Sequence, residues 1–145
     1  MMQFQGKTVL SGRGRGPALF TDQAVNFTAA FTKAGNLLPW KRGQFHDRHH
    51  PWFGEQVRGK VLVFPACIGS THTGLVVLDL VRMEEGPAAL IVDRADSLLV
   101  SGIVLSAVWY GPSITVVECS TAELREAVLA GQLLDVDGDT GIITF

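Results

Sequence analysis

The sequence has few cysteines, few charges and no long uninterrupted apolar run. Its 145 residues include two cysteines, Cys67 and Cys119, and neither lies in the CxxC or cysteine–histidine spacing of a metal site. Two isolated cysteines predict free thiols in a reducing cytoplasm. The apolar runs are interrupted by Asp, Arg, Gly or Pro, and the first residues lack the form of a signal peptide. We therefore expect a cytoplasmic protein with no membrane span and no membrane partner.

Charged residues make up only 18% of the chain, and 12 basic against 14 acidic residues give a formal net charge of −2. This balance argues against a nucleic-acid partner, which would need a basic surface. The apolar fraction of 47% is too high for a disordered chain and is enough for one domain spanning residues 1–145. The low charge indicates either a surface buried against a partner or a well-filled core.

The middle of the chain predicts a strand, a polar turn and a helix. The apolar run from Val61 to Phe64 is typical of a buried strand, and Pro65 ends it because proline has no N–H to donate to a sheet. A helix is predicted from Thr73 to Met83, with a strand as the alternative because of its valines. The turn between them would meet the positive end of a helix, which favours an anion site.

Five consecutive residues of this turn are the candidate site: Gly69, Ser70, Thr71, His72 and Thr73. Gly69 would let the backbone approach a ligand, and the other four would bind substrate or react. At a helix N-terminus Ser70 could act as a base toward a substrate carbon, or bind a carboxylate as a neutral hydroxyl. The alternative is that Ser70 or Thr71 is an ordinary helix N-cap, and the residues alone favour that alternative.

Two other chemistries are open at the same turn. A hydrolase would use Ser70 as nucleophile, although the G-x-S-x-G pattern is missing, with a nearby histidine as its base: His46, His49 or His50. A phosphocarrier would use His72, because its flanking threonines are similar to the Thr-x-His environment of swivelling phosphohistidine domains. His72 could otherwise be a partly exposed turn residue that bonds a neighbouring carbonyl.

Two further segments attract attention. The histidine-rich segment HDRHH, residues 46–50, could hold a metal, but its bracketing by Gly43 and Pro51 makes a helix doubtful. We prefer to interpret it as a hydrogen-bonded turn or, with the nearby tryptophans, as a partner surface, so no metal ligands are assigned.

In the glycine-rich GRGRG segment, Arg13 and Arg15 could bind an anion. We favour two short strands around a glycine-rich bend. On this interpretation the segment is a bulged strand, and the two arginines are solvated.

The other patterns predict an α+β domain, a barrel or sandwich with helices on its sides. Asp96 is predicted to cap one helix, and Ser120 with Glu123 forms a capping box for the next, which should end before Gly131. The predicted elements are strands at 25–31, 88–92 and 114–117, an irregular loop at 33–44, helices at 98–108 and 121–130, and a closing hairpin at 133–145.

The run GKVLVFPACIGSTHTG, with DRHHPWFGEQVRG upstream and GPAALIVDRAD downstream, resembles the small swivel subunit of aconitase X. The resemblance extends from about Gly12 to about Val117. It implies a swivelling β/β/α, barrel-like domain. It also implies a heteromeric dehydratase whose large subunit carries most substrate contacts and the iron centre, usually an iron–sulfur cluster.

In that family the serine of the Gly-Ser-Ser/Thr loop is thought to be the catalytic base, and the matching residue here is Ser70. The family's known activities are dehydration of cis-3-hydroxy-L-proline and, in archaea, of phosphomevalonate. This chain has Asn26-Phe27-Thr28-Ala29-Ala30 where many members have Ser-Phe-Trp-Gly-Gly, and His72 where small hydroxyl residues are usual. The resemblance leads us to expect the hydroxyproline-type activity.

Dehydration needs a base at the acidic carbon and a Lewis acid at the leaving hydroxyl. This chain offers a base but too few cysteines to hold a cluster alone. We therefore expect no cofactor in this chain, an iron–sulfur cluster on an aconitase X large subunit, and a small hydroxy acid as substrate. The isolated subunit should be inactive.

Overall fold

The structure is a computed structural model that describes residues 2–31, 38–69, 71–111 and 114–145. The strands in these residues are β1 Gln3–Gln5, β2 Lys7–Leu10, β3 Arg13–Phe20, β4 Val61–Phe64, β5 Ala89–Val92, β6 Thr115–Glu118, β7 Leu133–Asp137 and β8 Ile142–Thr144. The helices are α1 Phe27–Phe31, α2 Thr73–Arg82, α3 Ser97–Tyr110 and α4 Thr121–Ala127, with a 3-10 turn at Pro39–Lys41. None of these described helices has the length and hydropathy that crossing a membrane requires.

The strands form one sheet in the order β1-β8-β7-β3-β4-β5-β6-β2. Strands β3 to β6 are parallel, whereas β7, β8 and β1 continue from β3 in antiparallel pairs and β2 pairs antiparallel with β6. Because β1 and β2 are consecutive in the chain but lie at opposite ends of the sheet, the short link at Gly6 joins the two ends. Gly6 N–H donates to the carbonyl of Gly141 at 2.8 Å, which continues the β1–β8 pairing into this link.

Two apolar clusters lie on the two faces of the parallel strands. Leu62, Phe64 and Leu90 belong to the cluster that includes α1, α2 and α3. Alternate residues of the same strands, such as Val61 and Val63, belong to the cluster that includes α4 and the antiparallel strands. Burial on both faces explains why β4 and β5 are continuous apolar runs rather than alternating ones. The three layers, helices, parallel strands and antiparallel strands, confirm the predicted α+β fold.

The predicted strand at 61–64 and the closing hairpin are confirmed, and so is the helix predicted to begin at Thr73, whereas its strand alternative was wrong. The predicted cap of α3 is present, since Leu99 N–H donates to Asp96 Oδ1 at 2.9 Å. At α4, Ser120 Oγ accepts from Glu123 N–H at 3.3 Å. That helix ends at Ala127 rather than near residue 130, because Gly131 N–H donates instead to a carbonyl of β3.

The predicted strand at 25–31 was wrong, because Phe27–Phe31 is the helix α1. Asn26 initiates this helix, since its Oδ1 accepts from Ala29 N–H at 3.0 Å. The buried residues of α1 recur at helical spacing, and they are Phe27, Ala30 and Phe31. Most of the loop predicted at 33–44 falls on residues 32–37, which lie outside the described residues.

Two strands are present around GRGRG as predicted, but the break between them is confined to Ser11 and Gly12. The bend predicted to extend through GRGRG was therefore wrong, because Arg13–Phe20 is one continuous strand. Its glycines fit because neighbouring backbone lies where a side chain would point: a Cβ on Gly14 would overlap the carbonyl of Ala88. The arginines point outward, and Arg13 Nε donates to Asp135 Oδ1 at 3.2 Å with the arginine side chain 70% exposed. The prediction of solvated arginines is thus confirmed. The predicted bulge is not in the arginine strand, because the shift in strand register lies in β2.

Candidate functional site

The candidate site lies at the carboxyl edge of the parallel strands, the usual location of ligands in such sheets. The loop after β4 leads into α2 and is tied to the segment after β3. Val25 N–H donates to the carbonyl of Ala66 at 3.0 Å, and Ile68 N–H donates back to the carbonyl of Val25 at 3.0 Å. This short parallel pairing, centred on Val25 and Cys67, holds the loop up to Gly69.

Gly69 adopts a φ of +99°, which side-chain-bearing residues rarely adopt. A Cβ at this position would lie 2.5 Å from Asn26 Nδ2. The loop therefore needs a glycine for two reasons, its backbone conformation and the close approach of Asn26. Both reasons are intramolecular, whereas the sequence predicted that Gly69 would allow the approach of a ligand.

Of the other predicted site residues, Ser70 lies outside the described residues. Thr71 and His72 are exposed, whereas Thr73 is buried in the first turn of α2 and is only 2% exposed. His72 occupies the N-cap position, and its side chain makes no capping hydrogen bond. The alternative that Thr71 is the helix cap was therefore wrong. Thr71 and His72 lie beside Gly69 at the start of α2, where the helix dipole is positive.

Acidic residues at the same edge hold the neighbouring loops, and the sequence reasoning missed two of them. Asp93 follows β5 and accepts from both Thr121 N–H, at 3.0 Å, and Thr121 Oγ1–H, at 2.7 Å. Glu118 ends β6 and accepts from Ala95 N–H at 2.8 Å. Arg94 is exposed at this edge. The detectable signal was position, since Asp93 and Glu118 directly follow the strands predicted at 88–92 and 114–117.

The histidine-rich segment, residues 46–50, forms the predicted hydrogen-bonded turn. Asp47 Oδ1 accepts from His49 N–H at 3.1 Å, and the carbonyl of Asp47 accepts from His50 N–H at 3.2 Å. His49 is exposed, His46 is partly buried and His50 is buried. Among the residues described, no group of three or more histidine, cysteine or acidic side chains is placed to hold a metal ion.

The buried end of this segment braces the exit of β3. His50 Nδ1 accepts from Trp52 N–H at 3.1 Å, and the Trp52 indole N–H donates to the carbonyl of Phe20 at 2.8 Å. The rings of His50 and Phe45 lie with centroids 4.8 Å apart. Burial lowers the pKa of His50, and this effect outweighs the opposing charge of Asp47 and the nearby backbone of residues 23 and 24. His50 is therefore a buried structural residue whose Nδ1 is already occupied by Trp52 N–H, which makes it a poor hydrolase base.

Both cysteines are free thiols, Cys67 in the loop after β4 and Cys119 directly after β6. Burial is the main cause that raises the pKa of each to about 12, and nearby carboxylates add to it: Asp96 for Cys67, and Asp93 with Glu123 for Cys119. Thiols with such pKa values stay protonated at neutral pH and are weak nucleophiles and metal ligands.

The two arginines of the GRGRG segment are not part of this site. The last three residues of β3 pair in parallel with the first three of β4, so the carboxyl ends of both strands lie together. Arg13 and Arg15 lie in the first half of β3, toward the opposite end, where they run alongside β7. The possibility that Arg13 and Arg15 bind an anion at this site therefore has no support from their position.

The family model for the aconitase X swivel domain matches residues 3–145. The chain is 31% identical over 142 residues to the phosphomevalonate dehydratase small subunit of Methanocella arvoryzae, and the match covers 98% of each chain. It is 30% identical over 137 residues to the cis-3-hydroxy-L-proline dehydratase of Hypocrea jecorina. That match covers 94% of this chain but 22% of the fungal protein.

Solved structures agree on the fold. The crystal structure of Thermococcus kodakaraensis aconitase X superposes with a TM-score of 0.81 at 23% identity, covering 99% of this chain and 97% of that one. The 3-isopropylmalate dehydratase of Methanocaldococcus jannaschii superposes with a TM-score of 0.58 at 17% identity, covering 92% and 81%. The family match over nearly the whole length, the fold and the similarity to dehydratase small subunits show that this chain belongs to the aconitase X swivel domain family.

Proposed function

We propose that this chain is the small subunit of a hydro-lyase, which dehydrates a small hydroxy acid together with an aconitase X large subunit. Ser70 is its catalytic base. The observation that carries the proposal is the loop between β4 and α2. Before Ser70 in the chain, Gly69 is closely approached by the Asn26 side chain. After it, Thr71 and His72 are exposed at the start of α2, at the carboxyl edge of the sheet.

In this reaction Ser70 takes the proton from the carbon next to the substrate carboxylate, and the C–H electrons form the double bond as the hydroxyl leaves. The positive end of α2 favours the alkoxide form of a serine beside it. Gly69, Thr71 and His72 bind the substrate through backbone N–H groups and side chains, and Thr73, whose side chain is buried, takes part through its backbone N–H. The large subunit would supply the Lewis acid, an iron–sulfur cluster, that accepts the leaving hydroxyl.

We propose cis-3-hydroxy-L-proline as the substrate. The described carboxyl edge carries several acidic residues, among them Asp93, Asp96 and Glu118, beside the exposed Arg94. An acidic edge suits an amino acid that carries a cationic nitrogen better than a phosphorylated hydroxy acid. Phosphomevalonate is the second candidate, because the chain spans 98% of the length of a relative that bears that name.

The test is reconstitution with an aconitase X large subunit from the same genome, with both substrates assayed in parallel. Ser70→Ala should lower kcat by a factor of about 10² to 10⁴, as for loss of a general base, while complex formation stays unchanged. Ser11→Ala is a matched control, because Ser11 is exposed and follows β2 at the other end of the sheet.

Three results would contradict the proposal. Near wild-type turnover by Ser70→Ala would remove Ser70 as the base. Turnover by this chain without iron and without a second protein would remove the need for a large subunit. Consumption of phosphomevalonate in preference to cis-3-hydroxy-L-proline would replace the substrate.

A phosphohistidine role for His72 is the other class of function. It is kept open by one observation, the exposure of this side chain at the N-terminus of α2. Incubation with a phosphoenolpyruvate-dependent donor enzyme should leave the chain unphosphorylated if the dehydratase proposal is right. A phosphoryl group on His72, lost in His72→Asn, would favour the phosphocarrier instead.

A further inference from the structure

Helix α3 is apolar on both of its sides. It contains no charged residue over 14 residues. Its inner side packs against α2 through residues that include Leu99 and Ile103. Its outer side is exposed and uncharged, with exposures of 46% for Val104 and 74% for Val108, and with polar side chains at Ser97 and Ser101. A helix that is hydrophobic all round is normally covered on all sides, so the outer side of α3 lacks a covering partner.

Helix α4 gives the contrast within the same chain. Its buried residues are Thr121 and Leu124, and its exposed positions include Glu123, Arg125 and Glu126. A helix of this fold that faces water therefore has charges on its outer side. The exposed valines of α3 differ from the charged outer side of α4. Large exposed apolar patches mark interaction sites.

The apolar surface continues to the candidate site. Gly74 and Gly102 let α2 and α3 approach closely, so that a Cβ on Gly74 would lie 2.5 Å from the carbonyl of Leu98. This contact places the exposed side chains of Leu75 and Leu98, at the first turns of the two helices, on one surface. We define the α3 face by six exposed residues: Ile68, Leu75, Leu98, Val104, Val108 and Trp109.

One end of the α3 face has the character of an interface edge. Tyr110 follows Trp109 at the end of α3, and both rings are exposed. Arg82 of α2 donates to Asp79 at 2.7 Å, and the pair is exposed on the neighbouring helix. An apolar centre with tryptophan and tyrosine, beside an exposed ion pair, is the usual composition of a protein–protein interface.

We propose that the α3 face is the docking surface for the large subunit, an inference that rests on the proposed function. In the fungal relative, the region that matches this chain is 22% of one polypeptide, so there the domain is covalently joined to a much larger body. The relative from Methanocella arvoryzae, which matches over 98% of its length, is named a small subunit. A domain of this kind that is not joined to its body needs a surface that holds it there.

A second copy of this chain fits the α3 face less well. The face begins at Ile68, directly before Gly69, so whatever covers it also borders the candidate site. A second copy would bring an identical loop to that border. The large subunit would bring the Lewis acid that the proposed reaction needs there.

The experiment measures binding of the purified large subunit, by calorimetry, independently of activity. Val108→Glu should raise Kd at least about 100-fold, because a charge would be buried at the centre of the contact. Val108→Lys should have a similar effect, since the cost comes from dehydrating either charge. Leu129→Glu is the control, because Leu129 is 78% exposed and follows α4, and its Kd should stay within twofold of wild type.

Each outcome decides the proposal. Val108→Glu and Val108→Lys that fold and bind within threefold of wild type would overturn the α3 face as the docking surface. So would a wild-type chain that forms a homodimer through Val108 and leaves the large subunit unbound. A complex that depends on Val108 but dehydrates neither substrate would support the docking surface and contradict the proposed function.

Discussion

Asn26 and Gly69 lie in direct contact across the candidate site. A Cβ on Gly69 would come within 2.5 Å of Asn26 Nδ2, and the Asn26 Oδ1 accepts from Ala29 N–H at 3.0 Å. Asn26 therefore does two things at once, since it begins α1 and it limits where the loop before residue 70 can lie. The first role needs a side chain that accepts a hydrogen bond at a helix start, and the second needs only its bulk.

Gly69→Ala should impair both stability and activity. The change forces a side chain into a backbone conformation with φ of +99° and against the Asn26 amide. Strain of this kind costs about 1–3 kcal/mol, and the loop can relieve it only by moving. We expect a lower midpoint in urea unfolding and at least a tenfold loss of kcat in the reconstituted enzyme.

Gly131→Ala separates strain from position. Gly131 also has a positive φ, +81°, but nothing lies within 4 Å of a Cβ there, and it follows α4, where it bonds to β3. This variant should lose stability and keep its kcat. Equal loss of activity in both variants would show that the Asn26–Gly69 contact has no special bearing on the site.

His50 predicts a pH dependence of stability. Burial lowers its pKa in the folded state, so the unfolded chain binds the proton more tightly. The stability that the neutral ring provides is complete above its ordinary pKa of 6.5 and is lost as the pH falls below that value, toward the lowered pKa. Urea unfolding between pH 8 and pH 5 should show this loss.

His50→Asn should flatten that dependence. Asparagine can still accept from Trp52 N–H, as Nδ1 does, but does not titrate, and we expect a packing loss of about 1–3 kcal/mol at pH 8. His49→Asn is the matched control, because His49 is exposed and adjacent in sequence. An undiminished pH slope in His50→Asn would assign the loss to other groups.

The parts of the fold that could be predicted from sequence are those in which local signals agree with burial. Val61–Phe64 is apolar, β-branched and ended by proline, and Asp96 is followed by a long apolar helix, so both were predicted correctly. The segment at 25–31 misled because its alternating VNFTAAF pattern is typical of a strand. The helix there depends on the Asn26 side chain, and its buried residues pack on elements distant in sequence, such as Phe64.

The candidate site was located by its turn, but its supports were not. Gly69 stood out as a glycine in a polar turn, whereas its reason, Asn26, lies 43 positions earlier in the chain (69 minus 26). The same holds for Trp52, whose indole N–H reaches the carbonyl of Phe20. Such contacts depend on how the strands are ordered in the sheet, and a pattern within one segment carries no information about that order.

The thiols predict slow alkylation in the folded protein. The pKa of Cys67 and of Cys119 is raised from 9.0 to about 12, so the thiolate fraction falls about 10³-fold. Iodoacetamide at pH 8 should modify neither residue at an appreciable rate until urea unfolds the chain, when both should react together. Fast labelling of one cysteine under native conditions, read by mass spectrometry, would show that its surroundings are more open.

Gly102→Ala should disturb the contact on which the α3 face depends. A Cβ at Gly102 would overlap the backbone of Gly74, so α2 and α3 must separate or the helices must shift. Overpacking of this kind costs about 1–3 kcal/mol, even though alanine is the better helix former.

Thermal unfolding should show a lower Tm for Gly102→Ala. Ser101→Ala, one residue away on the exposed side of the same helix, should leave Tm unchanged or raise it. A stable Gly102→Ala would mean that the two helices can part without cost. The shared apolar surface of Leu75 and Leu98 would then not be a fixed feature of the free subunit.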